Sequence, residues 1–198
     1  MYLAACPQPL HDIAVLMLET SLRIGEALNL EWTDVVLKPI RGSRFGFLRA
    51  REGNSKNARR VVPLTDRAST MLPGRFSAQG SPLVFPNREG GRYLSTSVNH
   101  LHRNAVAPKV EGERRPLFAG DFVLHSLRHT MLTRLGESGV DAFTIMRIAG
   151  HSSIIVSQRY IHPTPEAVER AFERLQLHGE GPEIEAKRLP SATLTQAV

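Results

Sequence analysis

"LHSLRHTMLTRLGESGVDAFTIMRIAGHSSIIVSQRYIH", residues 124–162, reads as three helices in succession. The first covers 124–139 and is closed by Gly139, since glycine readily takes the left-handed backbone in which helices commonly end. The second covers 141–150, capped by the Asp141 carboxylate and stopped by Gly150. The third is short, Ser153–Tyr160, and sets one tyrosine between Gly150-His151 and His162-Pro163. A lone tyrosine most often packs in a core with its hydroxyl hydrogen-bonded. A phenol kept within reach of a substrate is a nucleophile. The rest of the chain has to choose between the two.

The 198 residues suffice for one domain with a proper core, and 41% hydrophobic content is ordinary for a globular chain. A formal charge of +6 points to a polyanionic partner, nucleic acid first, although basic composition also serves solubility alone. Cys6 is the sole cysteine, which excludes an internal disulfide and fits a reducing cytoplasm. No apolar run reaches membrane-spanning length, and the first residues lack the pattern of a signal peptide.

Upstream, "LHDIAVLMLETSLRIGEALNLEW" (10–32) has helical spacing, with a break and fresh start at Thr20-Ser21. Three short β-type runs follow, Val35–Leu37, Phe45–Ala50 and Arg60–Val62, the last two forming a hairpin around Glu52–Asn57. Thr65–Leu72 reads as a helix stopped by Pro73-Gly74, and 80–93 as a loop. Ser95–Val106 is a helix with Asn99, His100, His102 and Arg103 on its polar side. Residues 107–121 are a polar connection. A last helix runs from Pro165 to about Leu177, and 178–198 reads as a mobile or partner-docking tail. The fold class expected is α+β, mainly α-helical with a small three-stranded antiparallel sheet.

Within "HSLRHT" (125–130), His125 and Arg128 share one helical face, a proton carrier beside a guanidinium fork that suits a phosphate oxyanion. Alone, such a pair is more often a solvated polar face. His125 and His129 have the i, i+4 spacing of zinc ligands, but Ser126 stands where a metalloprotease helix needs glutamate, and Arg128 between them repels a dication. Arg23 begins a helix, with Glu26 three residues on to orient it; in isolation this is an ordinary ion pair. Lys56 lies at the hairpin tip with Arg59 and Arg60 behind it, placed to protonate a leaving group or to touch phosphates nonspecifically. In chain order the candidates are Arg23, Lys56, His125, Arg128, His151 and Tyr160. Two arginines neutralise a phosphodiester, histidine and lysine move protons, and a phenol can hold a phosphoryl group.

With that set assembled, the chain resembles the catalytic domain of the tyrosine recombinase (phage integrase) family. "TSLRIGEALNLEW" is similar to the family's first arginine box, "SKNARRVVPLT" to its hairpin lysine segment, and 124–162 to its second box; the likeness covers about 10 to 175. It implies DNA strand cleavage and rejoining without metal or nucleotide. Tyr160 would attack the scissile phosphate, Arg23 and Arg128 would stabilise its charge, and His125 would help deprotonate Tyr160. Lys56 would protonate the 5′ oxygen and His151 would hydrogen-bond the phosphate. Arg59, Arg60 and Arg103 would contact the DNA backbone. The partners implied are double-stranded DNA and further recombinase protomers, monomers in solution and four on DNA.

Ser21 departs from the glycine common at that point of the family. The chain is expected to hold a catalytic domain over 1–177 and to lack the family's N-terminal clamping domain. Two other readings share these residues: a type IB topoisomerase-like enzyme that relaxes supercoils, and a catalytically silent DNA-binding module.

Overall fold

A computed structural model describes residues 1–51, 59–76, 80–118, 122–162 and 165–177. It divides into residues 1–162 and a second unit from Pro163 on.

The first unit is built on α2 (Leu10–Thr20), whose Leu10, Ile13, Leu16 and Met17 are fully buried. A short α1 (Tyr2–Ala5), which composition and spacing did not predict, precedes it. The chain breaks where expected: Ser21 takes the left-handed conformation at φ 55°, and α3 (Ile24–Leu28) starts afresh from Arg23. The strands β1 (Val35–Val36), β2 (Phe47–Ala50) and β3 (Arg60–Pro63) form the expected antiparallel sheet in the order β1-β2-β3. Leu48 pairs with Val35 on one side and Val62 on the other, and Ala50 pairs with Arg60. The expected hairpin tip at Glu52–Asn57 lies outside the described residues.

After the sheet, α4 (Asp66–Met71) is capped by the Thr65 hydroxyl. It runs on as a 3-10 turn over Leu72–Arg75 rather than stopping before Pro73, because proline is tolerated in the first turn of a helix. The helix α5 (Ser95–Val106) forms as predicted. One of its polar residues turns inward, however. His102 is buried, accepting from the Tyr2 hydroxyl at Nδ1 (2.7 Å) and donating from Nε2 to the Phe122 carbonyl (2.9 Å). The polar connection after α5 contains a two-stranded hairpin, β4 (Lys109–Val110) and β5 (Glu113–Arg114), turning at Glu111-Gly112.

Three helices close the unit: α6 (Leu124–Glu137), α7 (Ala142–Ala149) and α8 (Ile154–Gln158). Asp141 caps α7 through the Phe143 and Thr144 N–H groups, Gly150 ends it at φ 68°, and Ser153 caps α8. Leu132, Ile145, Ala149 and Tyr160 form a core cluster of their own beside the large one around α2. The second unit contains α9 (Pro165–Leu177), matching the last predicted helix. No helix among the described residues is long and apolar enough to cross a membrane.

Candidate active site

The site forms around the C-terminal end of α7. The last carbonyls of a helix have no partner within it and carry the negative end of the helix dipole. Here three successive carbonyls each accept from a different arginine. Arg60 donates from Nε to Ile148 (2.6 Å), Arg128 from Nη2 to Ala149 (2.7 Å), and Arg23 from Nη2 to Gly150 (3.3 Å). These arginines come from β3, α6 and the start of α3, so the α7 terminus gathers cations that lie far apart in the chain.

Arg128 is the most enclosed, 2% exposed, and a second nitrogen donates to the Ser21 carbonyl. Burial, then the neighbouring Arg23 and Arg60 charges, lowers its pKa to about 10, which still leaves it charged at neutral pH. Two of its five N–H donors are engaged by these carbonyls. Among the described residues, Glu26 supplies the one carboxylate bonded within the cluster. Its Oε1 accepts from Arg60 Nη1 (2.8 Å) and Arg23 Nη1 (3.0 Å). Its Oε2 accepts from Arg60 Nη2 (2.9 Å) and the Arg23 backbone N–H (2.8 Å). Burial pushes the Glu26 carboxyl up, but hydrogen bonds and charge from Arg60, then Arg23, outweigh it and hold the carboxyl below its ordinary range. Two guanidinium groups share that carboxylate and Arg128 is bound to carbonyls alone, so these described side chains leave cationic charge over for an anion.

Tyr160 is packed and hydrogen-bonded at this site. Its ring belongs to the small core cluster and is 8% exposed, while its hydroxyl lies 2.6 Å from His129 Nδ1. Burial raises the phenol pKa, with Arg128 and Arg159 opposing it, so the phenol is protonated at neutral pH and donates this bond. His151 stacks on the Tyr160 ring at 6.2 Å, and its Nδ1 pairs with the buried Ser157 hydroxyl at 2.8 Å. Burial, then Arg128, Arg23 and Arg60, pulls His151 down to about 4. His125 meets His129 edge to face at 4.7 Å and is lowered in the same way, burial first, so both His125 and His151 are neutral at pH 7.

The structure therefore brings together Arg23, His125, Arg128, His151 and Tyr160, while Lys56 lies outside the described residues. Arg60 differs from the expectation of a backbone-contacting cation. Its side chain is 5% exposed because it serves Glu26 and Ile148. Arg59 and Arg103 are exposed. Sequence reasoning missed His129, considered there only as half of a metal pair, and Ser157. Ser157 lies three residues before Tyr160, and its carbonyl accepts from the Tyr160 N–H at 3.1 Å.

This chain is 26% identical to tyrosine recombinase XerC of Pediococcus pentosaceus over 88% of its own length and 57% of the relative's. To XerC of Haemophilus ducreyi it is 31% identical, over 79% and 49% respectively. The chain thus spans about half the length of the curated relatives it matches. Among solved structures, the catalytic domain of bacteriophage HP1 integrase shares the fold with a TM-score of 0.60 at 24% identity, covering 91% of this chain and 92% of that one. The XerA recombinase gives 0.60 at 21% identity, covering 88% of this chain and 62% of that one. The profile of the phage integrase family matches residues 3–167, and the chain belongs to that family.

Proposed function

We propose that this chain is the strand-transfer part of a site-specific DNA recombinase. The observation that supports it is the convergence at the α7 terminus. Arg23 and Arg128 are bound to adjacent carbonyls, and His151 follows directly and stacks on Tyr160. A phosphodiester is the anion that such a surplus of guanidinium charge beside a phenol fits.

In the reaction the Tyr160 oxygen attacks the scissile phosphorus as its proton passes to His129, with His125 packed behind it. The bond from phosphorus to the 5′ oxygen breaks, leaving a 3′-phosphotyrosyl strand. Lys56 protonates the departing oxygen. Arg23 and Arg128 meet the charge that builds on the nonbridging oxygens; donors already in place pay no reorganisation cost during the step. His151, neutral and anchored by Ser157, offers Nε2 to the phosphate. The phosphotyrosyl ester keeps the energy of the broken bond, so a 5′-hydroxyl from a partner strand reverses the step. Exchange of both strands between two duplexes needs four such links, and with one nucleophile per chain that requires four protomers on DNA. Arg59 and Arg103 contribute sequence-independent contacts to the duplex backbone.

The experiment is capture on a nicked suicide duplex carrying candidate sites, from which the short 5′-hydroxyl fragment diffuses away. A denaturant-resistant protein–DNA species is expected. Noncovalent binding without any such species would contradict the proposal.

A further inference from the structure

The mechanism above has no task for Arg60, yet few side chains of the cluster are held by more bonds. It lies opposite Ala50 at the start of β3 and is as enclosed as Glu26, the two side chains being 5% and 4% exposed. Arg23, on the other side of the same carboxylate, is 40% exposed and faces outward. Arg60 and Glu26 are thus both enclosed, and Arg23 is the member of the trio that reaches outward. Arg60 grips both carboxylate oxygens with two parallel bonds, a geometry that fixes the carboxylate plane, and its Nε ties that plane to the end of α7.

We propose that Arg60 is a positioning residue for strand cleavage: it locks the Glu26 carboxylate against the Ile148 carbonyl, and Glu26 in turn sets the direction of Arg23. The proposal rests on the reading of this site as a strand-cleavage centre. A single carboxylate holding Arg23 alone could rotate with it. Clamped from behind, it presents Arg23 at one angle, and a guanidinium contributes to a transition state only when its fork is aimed before the charge develops. Arg60 does this without touching DNA.

The test uses Arg60→Gln and Arg60→Lys in the full chain, each with and without Glu26→Gln. The readouts are the adduct-forming rate at saturating suicide duplex, the dissociation constant, and its salt dependence. Arg60→Gln should lower the rate about 10- to 100-fold, the usual cost of losing an outer partner in metal centres. The dissociation constant should stay within about two-fold and the salt slope should not change, since no phosphate contact is lost. Arg60→Lys should fall between, keeping charge beside Glu26 but not the double grip. Because Arg60 acts through Glu26, adding Arg60→Gln to Glu26→Gln should cost little more than Glu26→Gln alone. Should Arg60→Gln fail to fold, Arg60→Lys carries the test. A wild-type rate in the folded variant, a salt slope shallower by about 0.9, or fully multiplicative losses would overturn the proposal. Failure of the parent chain to form any adduct would instead count against the strand-cleavage reading.

Discussion

The Tyr160 hydroxyl and His129 Nδ1 lie 2.6 Å apart, although the two residues are 31 positions apart in the chain. Burial raises the phenol above its ordinary pKa, so a base is needed to turn it into a nucleophile at neutral pH, and His129 is the one in contact.

His129→Ala should therefore slow adduct formation by about 10²- to 10⁴-fold, the range of general base catalysis, with DNA affinity unchanged. The defect should shrink as the pH is raised towards the phenol's own ionisation. A pH–rate profile measured from single-turnover capture checks this. A profile parallel to that of the parent chain would show that His129 only packs.

Gly136 lies within α6 against the backbone of Tyr160. A Cβ added there would come within 2.8 Å of the Tyr160 carbonyl carbon and closer still to its oxygen. Neither is the tip of a flexible side chain that can swing aside. Gly136→Ala should displace the segment that carries Tyr160, cutting adduct formation at least about ten-fold while DNA binding persists. Capture assays beside a binding titration test it, and near-normal capture would mean that α6 and Tyr160 separate easily.

Much of this arrangement was legible before folding was known. Asp141 and Gly150 marked the ends of α7, and Thr20-Ser21 marked the break before Arg23, because caps and left-handed residues are local chemistry. The three β-type runs between 35 and 62 showed the sheet. The features that escaped are those made by tertiary approach. Helical spacing placed His129 one turn from His125 and suggested a metal pair, but nothing in that spacing tells that Tyr160 folds back onto it. Spacing put His102 on a polar face, yet Tyr2 and Phe122 supply hydrogen bonds that let it be buried. Arg60 read as one more cation of a basic turn because its partners, Glu26 and Ile148, belong to other segments.

Ser21 shows how a sequence departure acquires a physical meaning. Its φ of 55° is one that L-residues reach at a cost of roughly 1–2 kcal/mol, whereas glycine reaches it freely but loses about 0.5–1 kcal/mol of chain entropy. The Ser21 hydroxyl is also buried without a partner among the described residues. Ser21→Gly should accordingly stabilise the fold, by about 1 kcal/mol or less, and keep the backbone carbonyl that Arg128 uses. Urea unfolding should show a higher midpoint with an unchanged slope. A lower midpoint would contradict this account of the turn.

Acidification should weaken the fold through its buried histidines. His151 is pulled from its ordinary 6.5 to about 4, burial first and then the arginine charges, and His102 and His125 move in the same direction, burial first. Between those values the unfolded chain binds more protons than the folded one. The stability present above pH 6.5 is therefore lost as the pH falls towards 4. The urea midpoint should drop between pH 7 and pH 5, and His151→Gln should drop less over the same interval. Equal losses in the two proteins would show that His151 is not a source of the effect.

The central claim is that Tyr160 itself becomes bonded to DNA. The direct measurement is to digest the captured protein–DNA species and identify by mass spectrometry the peptide carrying the nucleotide. A nucleotide on Tyr160, and no adduct from a Tyr160→Phe chain that still binds duplex, is the result predicted. A nucleotide on another residue, or an adduct that survives in Tyr160→Phe, would contradict it.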